Sequence, residues 1–175
     1  KFTISNINVS YVNAIRRTLL SEIPCIVIKT EPHENNNVNI ISNKTRLNNE
    51  LIKQRISSIP IHIDDIESFP LEDYVVTLNK QNTTNNIIYA TSEDFEIKNT
   101  KLEKNLSKAE ISKIFPPDPI SGDYIDIVRL LPSFNSTSDL EEINLEAKME
   151  ISNAKDNNMF NVVSTCAYGN TPDKA

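Results

Sequence analysis

The chain has 175 residues, of which 38% are hydrophobic, enough to fold as one compact domain or as two small ones. A formal net charge of -6 and a sequence pI of about 5.0 give no general electrostatic attraction to DNA or RNA, so direct nucleic-acid contact is not expected. With only two glycines, a glycine-rich phosphate-binding loop is almost excluded, because close backbone approach to a phosphate requires residues without a side chain.

The start of the chain predicts two strands with a helix between them. Residues 2–9 alternate apolar and polar side chains, which is typical of a half-buried strand. Ser10 is expected to cap a helix over residues 11–23 that ends at Pro24, and a short apolar strand is expected at 25–28. One apolar stripe recurs along the helix at spacings of three and four, formed by Val12, Ile15, Leu19 and Ile23.

The next segment predicts a loop, a strand and a second helix. A polar loop at 33–37 precedes a weaker strand at 38–41. Asn48 or Asn49 is expected to cap a shorter amphipathic helix that ends at Pro60. Its apolar face consists of Ile52, Ile56 and Ile59.

The remainder of the chain predicts mainly strands. Strands at 74–78 and 87–91 flank an asparagine-rich turn, so a hairpin is expected there. A short helix at 107–114 ends before a group of prolines. Three more strands are expected, at residues 123–131, 143–151 and 160–167. The whole pattern predicts the α+β class with strands dominating.

Catalytic and metal sites have little support. The adjacent carboxylates, such as Asp64 with Asp65, are interpreted as solvated loop charge, because neighbours on an extended chain point in opposite directions. His33 and His62 have no cysteine or histidine at ligand spacing. An undetected hydrolase is therefore the weakest hypothesis, and no catalytic residue, metal or cofactor is expected.

The two cysteines and the hydropathy pattern bear on the environment of the protein. Cys25 and Cys166 lie far apart and form no C-x-x-C pair, which favours free thiols in a reducing compartment, with a single disulfide as the open alternative. No apolar run approaches the roughly 20 residues that span a bilayer, so no membrane contact is expected. No leader pattern is seen, and the start at Lys1 indicates trimmed ends.

The first predicted helix carries a second, polar stripe beside the apolar one. Asn13, Arg16, Arg17 and Leu20 follow the spacing i, i+3, i+4 and i+7. Two guanidinium groups and an amide on one side of a helix suit bidentate binding of a partner's carboxylates or carbonyls. The alternative is a solvated face with intrachain salt bridges, for instance to Glu22, and spacing alone favours that alternative.

Two segments resemble a known family. Residues 12–24 strongly resemble the signature helix of the alpha-like subunits of multisubunit DNA-directed RNA polymerases. Residues 48–61 resemble the second signature of that family, an acidic residue and an arginine-bearing helix followed by isoleucine-proline. The form of the second segment is typical of the archaeal D-type and eukaryotic third-largest-subunit branch, more than of bacterial alpha. Weaker similarity continues at residues 88–95, 127–130 and 160–168.

The resemblance implies a domain organisation and a function. Residues 1–29 and 156–175 would form a dimerisation domain whose C-terminal part is incomplete, interrupted by an inserted mostly-β domain at 30–155. The protein would be a non-catalytic scaffold that pairs with a smaller alpha-like subunit or domain, and the pair would nucleate binding of the second-largest subunit. The partner-binding residues would be Asn13, Arg16, Arg17 and Arg55. The stripe of Val12, Ile15, Leu19 and Ile23 would supply the dimerisation and core face.

The sequence also departs from the family. The four-cysteine zinc loop or iron–sulfur cluster of many relatives has no counterpart, and residues 152–158 replace a late turn that normally contains glycine and histidine. Low glycine and abundant asparagine are typical of a divergent polymerase, from a large DNA virus or an AT-rich eukaryote. The expected location is then the virion or host cytoplasm, or the nucleus. The competing hypothesis is a stand-alone β-rich adaptor or peptide-binding module.

Overall fold

The computed structural model describes residues 2–102, 104–133 and 140–171 of the chain. Three α-helices lie within these residues: α1 (Val9–Ser21), α2 (Asn49–Ser57) and α3 (Lys108–Ile114). The strands there are β1 (Cys25–Val27), β2 (Val38–Asn43), β3 (Tyr74–Gln81), β4 (Ile88–Thr91), β5 (Phe95–Asn99), β6 (Lys104–Asn105), β7 (Asp126–Leu130), β8 (Glu142–Lys148) and β9 (Glu150–Ser152). The predicted α+β class is confirmed.

The chain divides into two compact units. The smaller unit comprises Lys1–Cys25 and Ser152–Ala175, and the larger unit comprises Ile26–Ile151. The sequence predicts a similar division, at residues 1–29, 30–155 and 156–175. The assignment of these segments to a dimerisation domain and an inserted domain stays a prediction.

Five strands of the larger unit form one antiparallel sheet in the order β2-β8-β3-β5-β6. In β8, Leu145 lies opposite Ile40 of β2 and Leu78 of β3. Side chains alternate between the two faces of a strand, so Leu145 is buried and its neighbour Glu146 is exposed. This alternation places one face of the sheet in the hydrophobic core.

Two helices contribute to the same core. The N-cap of α2 is Asn48, whose Oδ1 accepts the backbone N–H of Leu51 at 2.9 Å. Ile52 and Ile56, one helical turn apart, are completely buried in the core cluster. The shorter α3 is capped by a reciprocal pair of hydrogen bonds between Ser107 and Glu110, and it adds two further buried isoleucines, Ile111 and Ile114.

A separate two-stranded sheet pairs β4 with β7, placing Tyr89 directly opposite Arg129. Helix α2 packs against β7, and Arg55 in the last turn of α2 donates from Nη1 to the carbonyl of Ile127 at 2.9 Å. A further two-stranded sheet pairs β1 with β9.

At the N-terminus, the predicted strand over residues 2–9 and the predicted cap at Ser10 are wrong. The described residues before Val9 form no strand, and the helix begins two residues earlier than expected. Asn8 is the N-cap because its Oδ1 accepts the backbone N–H of Ser10 at 2.9 Å. The alternating residues find no partner strand within the described part of the chain, and alternation without a ladder does not make a strand.

The predicted hairpin of residues 74–78 and 87–91 is also wrong. Both strands exist, but β3 pairs with β5 and β8, whereas β4 pairs with β7. Asn82, which is buried between them, donates from Nδ2 to the carbonyl of Asn86 at 2.8 Å and to that of Leu130 at 3.0 Å. These two bonds direct the chain toward the end of β7.

The C-terminal strands differ from the prediction as well. The strand expected at 143–151 is divided at Met149, because β8 pairs with β2 and β3 while β9 pairs with β1. The strand expected at 160–167 is absent: a short 3-10 helix, Asn158–Phe160, is followed by described residues without regular structure. Asn157 caps that helix by accepting the backbone N–H of Met159 at 3.1 Å.

Candidate functional site

Helix α1 is the element on which the sequence places most of the candidate site. Asn8 caps its first turn, and the backbone N–H of Glu22 donates to the carbonyl of Thr18 at its end. The predicted helix over 11–23 therefore extends from Val9 to Ser21, and Ile23 lies beyond its end. None of the thirteen residues of α1 is buried.

The apolar face of α1 is largely open. Val12 is half-buried, but Ile15 is 45% exposed and Leu19 is 37% exposed. Val9 and Tyr11 lie on the same helix and are still more exposed. Contiguous apolar residues on a helix surface are typical of a protein interaction site, because exposing them to water is unfavourable. The role of this face as a dimerisation surface stays a prediction.

The polar stripe of α1 is partly organised within the helix itself. Arg16 donates from Nε to Oδ1 of Asn13 at 3.0 Å, so the predicted pair is brought together. Arg17 is exposed, and the ion pairs found among the described residues include neither arginine. The intrachain salt bridge to Glu22 is therefore not seen, and both guanidinium groups keep N–H donors for other acceptors.

Arg55, the fourth predicted partner-binding residue, belongs to the larger unit. Its hydrogen bond to the Ile127 carbonyl uses one guanidinium nitrogen and ties α2 to β7. A cation in the last helical turn is also favourable next to the negative end of the helix dipole. Arg55 thus has a structural contact of its own, and its part in partner binding stays a prediction.

The described residues contain no cluster of three or more histidine, cysteine or acidic side chains that could hold a metal ion. Both cysteines are free, and each is half-buried. The Sγ of Cys25 lies 3.5 Å from the carbonyl oxygens of Ser152 and Phe160, and burial raises the pKa of its thiol. A thiol with a raised pKa is a poor nucleophile and a poor metal ligand at neutral pH.

Every described helix is too short or too polar to serve as a membrane span.

Sequence reasoning missed several exposed apolar residues next to the predicted stripe. Phe2, Ile4 and Ile7 are exposed in the segment before α1, where a half-buried strand was expected. Tyr11 precedes Ile15 by one helical turn and extends the apolar face. The i, i+4 spacing of these two residues was the signal that could have identified Tyr11.

The full chain, residues 1–175, matches the family model of the RNA polymerase Rpb3/Rpb11 dimerisation domain. The chain belongs to this family. The resemblance inferred from the two signature segments is thereby confirmed.

Several archaeal proteins named DNA-directed RNA polymerase subunit Rpo3 are similar to this member of the Rpb3/Rpb11 family. The protein of Thermococcus kodakarensis is 30% identical over 94 residues, which cover 51% of this chain and 34% of that protein. The protein of Pyrococcus furiosus is 30% identical over 105 residues, covering 56% of this chain and 38% of that protein.

Similarity extends along nearly the whole chain in another relative. The protein of Methanobrevibacter smithii is 26% identical over 177 residues, which cover 98% of this chain and 54% of that protein. The chain therefore spans about a third to a half of the length of these Rpb3/Rpb11-family relatives. The comparison agrees with the predicted archaeal and eukaryotic branch of the family.

Proposed function

We propose that this chain is part of a non-catalytic assembly subunit of a DNA-directed RNA polymerase. In this proposal it pairs with a smaller alpha-like subunit or domain of the Rpb11 kind, and the pair nucleates binding of the second-largest subunit. The nucleotidyl transfer reaction belongs to the complex, with its catalytic residues on other subunits. Family membership and the similarity to archaeal Rpo3 proteins support this class of function.

The observation that carries the proposal is the open apolar face of α1. A thirteen-residue helix with no buried residue gains little stability from its own chain, because most helical stability in proteins comes from packing an apolar face. A matching apolar helix from a partner would cover Ile15 and Leu19 and supply that packing. The face occurs on the segment that resembles the family's signature helix.

The polar stripe supports a second contact. Asn13, Arg16 and Arg17 lie beside the apolar face, so a helix covered by one partner on its apolar side still presents guanidinium groups to another. Arginine suits this role because its planar fork can bind carboxylates bidentately. We propose that these three residues bind a large polymerase subunit, with Arg55 as a support or further contact.

Co-expression with a smaller alpha-like subunit tests the pairing. The chain alone should self-associate on size exclusion, and the partner should convert it to a defined heterodimer. Leu19→Asp should abolish the heterodimer, because an unpaired carboxylate buried in an apolar interface costs at least several kcal/mol. Leu102→Asp is the matched control, since Leu102 is an exposed leucine of the larger unit.

The β-rich adaptor hypothesis makes the opposite prediction. Such a module would be monodisperse by itself and would not bind an alpha-like partner. Normal heterodimer formation by Leu19→Asp, or equal loss in Leu102→Asp, would contradict the assignment of the α1 face.

A further inference from the structure

The larger unit contains an open cleft of about 480 Å³ on the side of α2 and the β4–β7 sheet. Most of its charged lining residues are arginines, namely Arg46, Arg55 and Arg129, and Tyr89 also lines it. We call this site the arginine cleft. Three of the five arginines in the sequence line it, although lysine is the commoner cation of the chain, with 13 residues.

The fold brings these side chains together from distant parts of the sequence. Tyr89 and Arg129 are directly opposite each other on β4 and β7. Arg55 reaches the same place from α2 and is held by its hydrogen bond to the Ile127 carbonyl. Arg46, in the loop before α2, lies 3.6 Å from Glu141 and leaves most of its side chain exposed.

Two of the guanidinium groups, those of Arg129 and Arg55, keep N–H donors for a ligand. Arg129 is exposed and makes no side-chain hydrogen bond or ion pair with the described residues. Arg55 uses only Nη1 in its bond to Ile127 and keeps its other donors. Because that bond already fixes the Arg55 side chain, little conformational entropy remains to be lost on binding.

The cleft is amphipathic. Leu47, Val128 and Leu131 line it between the arginines. Asp126 also lines it, so the lining residues carry a formal charge of +2, and Glu141 beside Arg46 offsets one of the positive charges. Tyr89 is 48% exposed and offers an aromatic face, a surface that is common in protein interfaces. This combination fits a ligand that carries both carboxylates and aliphatic groups.

We propose that the arginine cleft binds an acidic segment of a partner protein in which carboxylate side chains alternate with aliphatic ones. The carboxylates pair with Arg129 and Arg55, and an aliphatic side chain contacts Leu47 and Leu131, the two partly exposed leucines of the lining. Arginine is the cation suited to this ligand, because its fork matches a carboxylate in two parallel hydrogen bonds. The inference does not rest on pairing through α1, since every residue of the cleft belongs to the larger unit.

A nucleic-acid ligand is disfavoured by the charge of the whole chain. RNA or DNA presents a row of phosphates that would extend past the cleft onto a protein of net charge -6. One or two carboxylates of a short segment interact mainly with the local arginines, because at physiological ionic strength charges are screened beyond about 8 Å.

Fluorescence anisotropy with the full chain, kept soluble as a fusion to maltose-binding protein, tests the proposal. The probe is a short fluorescein-labelled peptide in which glutamate and leucine alternate. We expect saturable binding that Arg129→Glu weakens about tenfold or more, because the charge reversal removes the guanidinium hydrogen bonds to the peptide and places two carboxylates together. Lys108→Glu, the same charge change at an exposed residue on α3, is the matched control and should bind as the parent does.

Competitors identify the chemistry of the ligand. A charge-reversed peptide of lysine and leucine should not compete, and polyglutamate without leucine should compete more weakly than the probe. Absence of binding, equal loss in Arg129→Glu and Lys108→Glu, or binding of only pyrophosphate or a single-stranded oligonucleotide would overturn the proposal.

Discussion

Helices α1 and α2 have the same kind of N-cap but differ in how far their apolar faces are buried. Each is capped by an asparagine whose Oδ1 accepts a backbone N–H at 2.9 Å, and each carries an apolar stripe. Ile52 and Ile56 of α2 are completely buried, whereas α1 buries none of its residues. Apolar periodicity therefore identifies the face that a helix will bury, and it does not identify which chain covers that face.

The same contrast holds for the two units. The larger unit assembles a continuous hydrophobic core from its sheet and from α2 and α3. In the smaller unit most of the apolar side chains of α1 and of the preceding segment are exposed, including Phe2 and Ile7. We interpret the larger unit as stable by itself and the smaller unit as dependent on a partner.

The largest expected effect is in α2. Ile56→Ala should lower the free energy of unfolding by about 2–5 kcal/mol, because it removes buried methylene groups and leaves a cavity. Urea unfolding followed by circular dichroism measures this loss. The control is Ile15→Ala in α1, which should change the stability of the isolated chain, measured at concentrations at which it is monomeric, by less than about 0.5 kcal/mol because Ile15 is exposed. Equal losses in the two variants would show that α1 packs as fully as α2.

The second prediction concerns the polar stripe of α1. Arg16→Ala with Arg17→Ala should leave the melting temperature almost unchanged, because neither arginine is buried. Binding of the heterodimer to the second-largest subunit should weaken by about 2 kcal/mol or more, the typical cost of truncating arginines that are desolvated in an interface. A pull-down beside thermal melts measures both, with Lys108→Ala on α3 as the control. Unchanged binding with a collapsed melting temperature would make the arginines structural.

The local signals in the sequence were sufficient for the caps of α2 and α3, but they placed the cap of α1 two residues too late. The cap at Asn48 and the isoleucines of α2 lie where the pattern predicts them, and Ser107 caps α3 as expected. The pairing of the strands was not predictable in this way. The strands predicted at 74–78 and 87–91 exist as Tyr74–Gln81 and Ile88–Thr91, but each pairs with other strands. Asn82 between them is buried and bonds to the Leu130 carbonyl, and a polar residue in a predicted turn gives no sign that it will be buried.

Only part of the candidate site could be predicted from the sequence. The two stripes of α1 follow directly from helical spacing, and in the structure Arg16 donates a hydrogen bond to Asn13 as that spacing indicates. The arginine cleft could not be predicted, because residues 46, 55, 89 and 129 come together through the packing of α2 against β7 and the pairing of β4 with β7. Without the sheet order, these residues are unrelated positions.

A smaller effect is expected from the two capping asparagines. Asn48→Ala should lower the free energy of unfolding by about 1 kcal/mol, because the cap of a buried helix stabilises the whole core. Asn8→Ala removes an equivalent bond, but it should reduce only the helical content of α1 and leave the main unfolding transition unchanged. Circular dichroism and urea unfolding of the two variants distinguish these outcomes. A shift of the main transition by Asn8→Ala would mean that α1 folds cooperatively with the core.

The smallest effect is the acid sensitivity of the larger unit. The hydroxyl of Ser42 donates to Oε1 of Glu142 at 2.8 Å and Lys44 Nζ lies 3.0 Å from the same oxygen, and these contacts lower the pKa of Glu142. Because the pKa is lower in the folded chain than in the unfolded one, the contacts stabilise the fold fully above the ordinary glutamate pKa of about 4.3. This stabilisation disappears as the pH falls through the folded pKa.

Glu142→Gln should therefore cost less than about 1 kcal/mol at neutral pH and should flatten the fall in stability on acidification. Urea midpoints measured from neutral to acidic pH test this. The matched control is Glu146→Gln on the same strand, an exposed carboxylate with no hydrogen bond or ion pair among the described residues. The other carboxyl groups whose pKa is lowered, those of Asp65, Glu110 and Asp118, also belong to the larger unit, each stabilised by a serine hydroxyl or by backbone N–H groups. Each of these exposed groups contributes only a small, solvent-screened amount, so acid should lower the urea midpoint gradually, and a midpoint that falls as steeply in Glu142→Gln as in the parent would show that the contacts of Glu142 do not stabilise the fold.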